Sequence, residues 1–410
     1  MAAPSPTAPL RVARHRSIQE VDEALWDSIN SDQDIFHQHR FIRAVEAARV
    51  EDSQAWYLLF YRGDRLVATA ALSAFTVSLD LFVGGAAAQL IQRLRRWWPE
   101  FLRIRILFCG LPISLGQNNL VVADPAQAGE VLALLVREMA EVARALGIQY
   151  LCVKEFLQSQ IAGMDGLEKH GYFLANSIPY VSMPLRWPSF EAYLASLRHG
   201  YRRPIKLALK KIGQTSPAIE RANGDGPAAA APRLVLGGPE VCPPSRFFEL
   251  YMQVMERAPV KLETLNLPFF EQLYTHMRHD LAVLAFVQER EVLGSALLTT
   301  HNGAMTFMLV GLDYARRDQY DVYFNLVYGI ISLAIEQGCR ELHLGQTSYW
   351  LKQRVGGECI PEYFYFKSNR RFVHFCIRSL RAALFPEVKP RRPTVFRQAD
   401  LNGTTDEHGR

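Results

Sequence analysis

Between Gly345 and Gly357 the chain reads Gly-Gln-Thr-Ser-Tyr-Trp-Leu-Lys-Gln-Arg-Val-Gly-Gly. The segment follows an apolar run in which Glu341, His343 and Gly345 share one face of a strand. Polar, aromatic and cationic groups thus gather just past the C-terminal end of a strand, where α/β sheets hold their ligands. Tyr349, Lys352 and Arg354 fall within one short turn and can surround a single pocket. A tyrosine, with an ordinary pKa of about 10, keeps its proton at neutral pH and can hand it to a leaving group. Lys352 and Arg354 suit an anionic donor or acceptor. The same residues also read as a solvated loop with Trp350 packed inward, and spacing leaves both readings open. For a base the candidates are Glu155, His343 and Glu358.

A second cationic feature runs from Ala192 to Ile219, with Arg198, Arg202, Arg203, Lys206, Lys210 and Lys211 and no acid. On a helix, Tyr201, Ile205, Ala208 and Ile212 form an apolar stripe, while Arg203, Lys206 and Lys210 line a polar one. Such a face is either simply solvated or binds an anion: cofactor phosphates, or the backbone of a carrier or RNA. Arg316 and Arg317 precede a helix beginning near Val322, and helix N-termini attract phosphate. On that helix Asn325 lines up with Ser332 and Glu336 in a polar stripe expected at the surface. Gln92 to Trp98 is basic with two tryptophans. It either rests on a membrane surface or packs its indoles under snorkelling arginines. Walker A, GxGxxG, HExxH and GxSxG patterns are absent. The pairs His37/His39 and His276/His279 lack a third ligand at metal spacing and are expected to be ordinary surface histidines, with no metal site.

The elements that must position these groups come from composition and pattern. The chain has 410 residues, 49% of them hydrophobic and 21% charged, with a net charge of +5. That excludes disorder, collagen and coiled coil, and the length favours two domains. A charge of +5 spread so thinly places any basic function in local clusters. Six cysteines without CxxC spacing read as buried thiols of a reducing, cytoplasmic compartment. Met1 to Leu10 is Ala/Pro-rich and lacks the order of a secretory signal. Leu66 to Ile91 is apolar enough to suggest a span, but Asp80 near its middle and Gly84-Gly85 favour strands followed by a helix.

Two segments share a hairpin pattern, Leu58 to Leu72 and Leu284 to Leu298, each an apolar strand, a charged turn and a strand of small residues. Two helix–Gly–strand units follow, Val131 to Val153 and Val322 to Leu344, with Gly147 and Gly338 at left-handed C-caps. The hairpins are 226 residues apart (Asp64 to Arg290) and the glycines 191, so the first copy carries 35 extra residues. This repeat predicts two α/β domains built alike, 1–187 and 188–384, with a tail over 385–410. Strands near Leu10–Ser17, Arg103–Phe108 and Tyr172–Leu185 are assigned to the first sheet, and Glu362–Lys367 to the second half. The Gly/Pro/Ala-rich stretch 222–244 reads as a flexible insertion.

The pattern Gln346-x-x-Tyr349-x-x-Lys352-x-Arg354-x-Gly356, with Tyr323-Phe-Asn325 upstream and the two-copy layout, resembles GNAT-superfamily proteins with a BioF2-like or FemAB-like acyltransferase domain. The resemblance covers most of Phe190 to Arg371. More weakly it covers the first half, which is similar to the paired domains of the FemABX aminoacyltransferases. It implies an α/β (α+β) fold of two tandem GNAT-like domains, mixed sheets flanked by helices, with the active site in the second. It implies an N-acyltransferase that moves an acyl group from acyl-CoA or an acyl carrier to an amine, with no permanently bound cofactor. Tyr349 would protonate the departing thiolate. Gln346, Arg354, Gly356, Arg316, Arg317, Tyr323, Asn325, Arg203 and Lys206 would bind substrate beside Lys352. The place of the GNAT pyrophosphate loop reads Tyr314-Ala-Arg-Arg-Asp-Gln-Tyr-Asp321, without glycine. The resemblance also admits aminoacyl transfer from tRNA, with Arg198 to Lys211 on RNA phosphate, or a silent binding protein of the same fold. DNA is not expected as a partner.

Overall fold

The computed structural model describes residues 8–31, 33–78, 97, 103–113, 116–222, 231–258, 263–388 and 393–397. In chain order, β1 (Leu10–His15) is followed by helices α1 (Glu23–Asn30) and α2 (His39–Ala48). The hairpin β2 (Gln54–Arg62) and β3 (Arg65–Ser78) precedes β4 (Arg103–Cys109), β5 (Leu120–Val122), α3 (Ala128–Ala145) and β6 (Tyr150–Leu157). Next come α4 (Gly166–Lys169), β7 (Phe173–Asn176), β8 (Tyr180–Pro184), α5 (Phe190–Ser196) and α6 (His199–Lys211). After β9 (Ile219–Arg221) and β10 (Arg233–Gly237) lie α7 (Pro244–Arg257) and α8 (Leu267–His276), then β11 (Leu281–Gln288), β12 (Glu291–His301) and β13 (Ala304–Leu312). The chain continues with α9 (Val322–Glu336), β14 (Glu341–Gln346), α10 (Tyr349–Arg354), β15 (Glu358–Ile360), β16 (Glu362–Ser368), α11 (Arg371–Ser379) and α12 (Arg381–Leu384).

These elements form two compact units. One comprises 1–178, 259–272 and 361–388, the other 179–258, 273–360 and 389–410. The first holds a mixed sheet of order β1-β2-β3-β4-β6-β16-β7, with β5 pairing β3, and the second a mixed sheet of order β15-β8-β14-β13-β12-β11-β10-β9. The repeat read from the sequence is present in both. The hairpin β2–β3 matches β11–β12, and the parallel pair β4–β6 across α3 matches β13–β14 across α9. Gly147 and Gly338 both have φ +67. Ile148 N–H closes on Ala143 O and Cys339 N–H on Ala334 O, at 2.8 and 3.0 Å, the 6→1 bond of a Schellman stop that a side-chain Cβ would oppose.

Three expectations are corrected. The stretch 172–185 is not one strand of the first sheet, because β7 pairs β16 there while β8 pairs β14 of the second sheet. Conversely β16, expected in the second half, pairs β6 of the first sheet. Both strands are mostly buried, and a run of apolar residues states that a strand is covered but not which sheet supplies the neighbour. Within 222–244, Arg233–Gly237 is the strand β10, with Leu234 and Leu236 buried against the second core. In the tail, Val395 is buried and Leu197 forms a β-bridge with Phe396.

The first core lies between α3 and the sheet, around Leu58, Leu72, Leu107, Leu135, Met139 and Leu151. The second lies around α9, whose Leu326, Ile330, Ile331 and Ala334 meet Phe286, Leu298 and Leu342 of the sheet. Asn325 and Ser332, expected at the surface, are buried, and at Asn325 the cover is α6. Asn325 Nδ2 donates to Ala208 O of α6 at 3.2 Å and to Tyr320 O at 2.7 Å. His37 and His39, expected at the surface, are also buried, with Nε2 at 2.5 Å from Asn118 O and 2.8 Å from Ile18 O. An imidazole N–H that meets a backbone carbonyl no longer needs water. Burial lowers the pKa of His37 and favours its neutral ring. Four cysteines, 109, 152, 242 and 339, are buried as expected, whereas Cys359 and Cys376, expected to be buried as well, are partly exposed. The apolar stretch from residue 66 enters β3, and its remainder from 79 lies outside the described residues, as does Gln92–Trp98 apart from the exposed Trp97. No helix among the described residues is long and apolar enough to cross a membrane.

Candidate active site

The second unit places the Gly345–Gly357 segment at the end of β14, whose pairing with β8 slips by one residue between His343 and Gly345. Such a bulge bends the strand and re-aims the residues that follow it. Gly345, Thr347 and Ser348 then take φ of +71, +59 and +50. Left-handed backbone at two side-chain-bearing residues in succession costs about 1–3 kcal/mol each, and such strain concentrates at functional sites.

The short helix α10 is pinned on several sides. Tyr349 O–H donates to Pro179 O at 3.1 Å, and Tyr193 O–H donates to Val355 O at 2.9 Å. Tyr323 is bonded to Ser348, and its burial pushes the phenol pKa up to about 12. At the other end Gly356 has φ +103, and a Cβ there would overlap the Phe396 ring. One turn after Tyr349, Lys352 also points inward. It is 5% exposed, and its Nζ donates to Gln346 O at 2.7 Å and Gly345 O at 3.3 Å. No carboxylate forms an ion pair with it among the described residues. Burial therefore pulls its pKa down to about 7. Two carbonyls occupy two of the three bonding directions at Nζ. The third carries an N–H when the amine is charged and a lone pair when it is neutral.

Arg354 lies apart from this pair. Its guanidinium sits 5.1 Å from the Tyr201 ring and 4.8 Å from the exposed Trp350 ring, a cation–π stack rather than a pocket wall shared with Tyr349 and Lys352. Tyr201 begins the inward stripe of α6, and Ile205, Ala208 and Ile212 are buried as its spacing predicts. The opposite face carries a cleft of about 230 Å³ lined by His199, Arg202, Arg203, Lys206, Leu207 and Lys210. Arg316 and Arg317 are not open to a phosphate in the same way. Arg316 pairs with Glu291 and Asp313, while Arg317 pairs with Asp318 at 3.1 Å and stacks on Tyr314 at 4.1 Å. The α9 N-terminus is faced by Asp321, itself bridged to Lys211 at 2.8 Å.

Of the residues considered as bases, His343 lies across the sheet surface with Nε2 3.4 Å from Glu341 and Nδ1 3.4 Å from Thr306 Oγ1. His343 and the Ser182 hydroxyl hold the Glu341 carboxyl down to a pKa of about 2. Glu358 is exposed on β15. Glu155 belongs to the first unit. It sits at φ +67 in β6, accepts from Gln117 N–H at 3.1 Å and faces Lys154 at 3.8 Å. Of this polar cluster, in which Asp34 accepts from Gln117 Nε2 at 3.1 Å, sequence reasoning marks Glu155 alone and misses Lys154, Gln117 and Asp34. The bare succession Lys154-Glu155 inside an apolar strand is its only signal. Among the described residues no group of His, Cys, Asp and Glu could hold a metal ion.

Against known proteins, residues 17–354 match the model of the FemAB-like family, described as peptidoglycan biosynthesis and recognition. The solved structure of FemX superposes with a TM-score of 0.55 at 13% identity, covering 89% of this chain and 99% of FemX. The C-terminal domain of a putative lysylphosphatidylglycerol synthetase from Agrobacterium fabrum gives 0.51 at 10% identity, covering 92% of this chain and all of that domain. A putative 8-amino-7-oxononanoate synthase 2 of Mycobacterium tuberculosis is 24% identical over 343 residues, which are 82% of this chain and 42% of that protein. The chain thus spans less than half the length of that relative. With the family model matched over most of its length and the repeated sheet–helix unit present twice, the chain belongs to the FemAB-like family and folds as two tandem GNAT-like domains.

Proposed function

We propose that this protein is an acyl-group transferase that joins an activated acyl or aminoacyl group to an amine, with the chemistry in the second unit. The observation that carries the reading is Lys352, a buried amine with no carboxylate partner among the described residues, balanced between its two protonation states at the strained end of β14. Near pH 7 such a group can take a proton and return it, which matches what the reaction requires. The acceptor amine forms the C–N bond at the donor carbonyl and passes a proton to the neutral amine of Lys352. The tetrahedral adduct then expels the donor's sulfur or oxygen, which takes a proton back from the Lys352 ammonium. The sequence reading gives the acid role to Tyr349. Its O–H is engaged on Pro179 O, so this proposal assigns the proton transfers to Lys352 and gives Tyr349 the task of holding the helix that carries it.

The α6 cleft favours an anionic donor bound through Arg202, Arg203, Lys206 and Lys210. At Arg316 and Arg317 an anion would have to displace carboxylates already in place. That difference supports an aminoacyl-tRNA donor over acyl-CoA, in keeping with a family described by peptidoglycan biosynthesis. The test is transfer of labelled amino acid from charged tRNA, and of labelled acetyl from acetyl-CoA, to amine acceptors. Turnover by the wild type should rise with pH through an inflection near 7, and Lys352→Met should lower kcat by about 10²–10⁴ with KM little changed. Retention of wild-type turnover and pH profile by Lys352→Met refutes the assignment.

A further inference from the structure

The chain after β16 presents a surface that the transfer chemistry does not use. In α11 and α12, Phe372 is 78% exposed, Phe375 66%, Leu380 56% and Leu384 37%, with Val388 at 40% just beyond. The inner side of the same segment is anchored. Ile377 and Phe385 pack against the cluster of Ile106, Phe173 and Phe366, and the His374 ring lies 5.5 Å from Phe173. His374 Nδ1 also accepts the Ser368 N–H at 3.2 Å. The helix is therefore fixed by one face while its aromatic face is left in water. Two adjacent phenylalanines in that state are unusual for a helix packed on a sheet.

Charge states what covers them. From Arg370 to Val388 the segment carries Arg370, Arg371, Arg378 and Arg381 against Glu387 alone. None of the four arginines makes an ion pair among the described residues. Arg371 and Arg378 stand one turn either side of Phe375, on the solvent side of α11. A second copy docked by a twofold axis would set eight guanidiniums against one another with one glutamate from each copy among them. A surface of phosphates over hydrocarbon answers both features at once, with the rings below the headgroups and the guanidiniums level with them. We infer that the exposed face of α11 and α12 docks the protein on an anionic lipid bilayer. This does not depend on the proposed transfer activity.

The test is flotation of the full chain with vesicles of phosphatidylcholine alone and of equimolar phosphatidylglycerol and phosphatidylcholine. The wild type should float with the anionic vesicles only, and binding should weaken as salt shortens the Debye length. Phe372→Ser/Phe375→Ser should weaken binding about tenfold or more, with the melting curve unchanged because both rings are already in water. Arg371→Gln/Arg378→Gln should weaken it and flatten its salt dependence. Failure of the wild type to float, or equal binding by both double variants, overturns the inference. So does a wild-type dimer in light scattering that Phe372→Ser/Phe375→Ser abolishes, since a second copy would then be the occupant.

Discussion

Lys352 makes a prediction that needs no substrate. In the unfolded chain its amine titrates near 10.4, about the ordinary lysine value. In the folded protein burial lowers the pKa to about 7. Between these two values the unfolded state holds a proton that the folded state has released. Stability must then rise with pH, with a slope approaching about 1.4 kcal/mol per pH unit. Below the folded value both states are charged and the dependence vanishes. Starting half-protonated at about pH 7 and ending neutral at about pH 9, the folded state gains roughly 2 kcal/mol from this one group. Lys352→Met keeps the stem's bulk and removes the titration. It also leaves Gly345 O and Gln346 O without their donor, a loss of about 1–3 kcal/mol for each carbonyl that stays dry. The assay is urea unfolding of both proteins at about pH 7, 8 and 9, taking the difference between the two stabilities so that all other titrating groups cancel. The wild type should gain roughly 2 kcal/mol on the variant across that range. Two parallel curves would refute the reasoning, because the amine would then be equally protonated in folded and unfolded chains.

Two further outcomes follow from the same unit. Gly356→Ala forces a side chain onto φ +103 and into the Phe396 ring. It should lower stability by about 1–3 kcal/mol and release the 393–397 segment, read as faster proteolysis near the C-terminus. Glu341, held down to about 2 first by His343 and then by Ser182, adds stability above the ordinary carboxylate pKa that is lost as pH falls toward 2. Its side chain is 45% exposed, so His343→Ala should remove less than about 1 kcal/mol. The acid-unfolding midpoint should still move to higher pH, and an unmoved midpoint would show that the pair does not act on Glu341.

What the sequence makes legible is local. The two hairpins and the two Schellman stops are written in residue type and spacing, since a charged turn between apolar runs and a glycine after a helix each act within a few residues. Sheet membership of β8 and β16 is not local, because a strand's own residues do not say which sheet receives it. The strand β10 is hidden by the low-complexity residues beside it. Asn325 shows the limit of helical periodicity, which marks a polar stripe but does not say that α6 covers it. The site is legible in part. The types and order of Tyr349, Lys352 and Arg354 mark the candidate turn, but their directions follow from the bulge at Gly345 and the anchors at Pro179 and Tyr193, which lie far away in sequence.

The duplication itself argues for where chemistry belongs. Each unit bends the second strand of its parallel pair by a bulge with left-handed backbone, at Glu155 in β6 and at Gly345 in β14. Each also buries a lysine beside that bulge with its Nζ on main-chain carbonyls, Lys154 on Ile113 O at 3.4 Å and Lys352 on Gln346 O at 2.7 Å. The difference is a carboxylate. Glu155 stands 3.8 Å from Lys154 and itself accepts from Gln117 N–H, so that lysine is part of a polar cluster with a carboxylate in it. Glycine occupies the bulge of the second unit, and Lys352 is left to settle its charge by its surroundings alone. A paired lysine resists losing its proton, whereas an unpaired one in a dry site releases and regains it near neutrality. Introducing a carboxylate at Gly345 would meet the left-handed backbone that Glu155 already tolerates. Gly345→Glu should therefore fold, raise the pKa of Lys352 and silence transfer at pH 7, whereas turnover that survived it would locate the chemistry elsewhere.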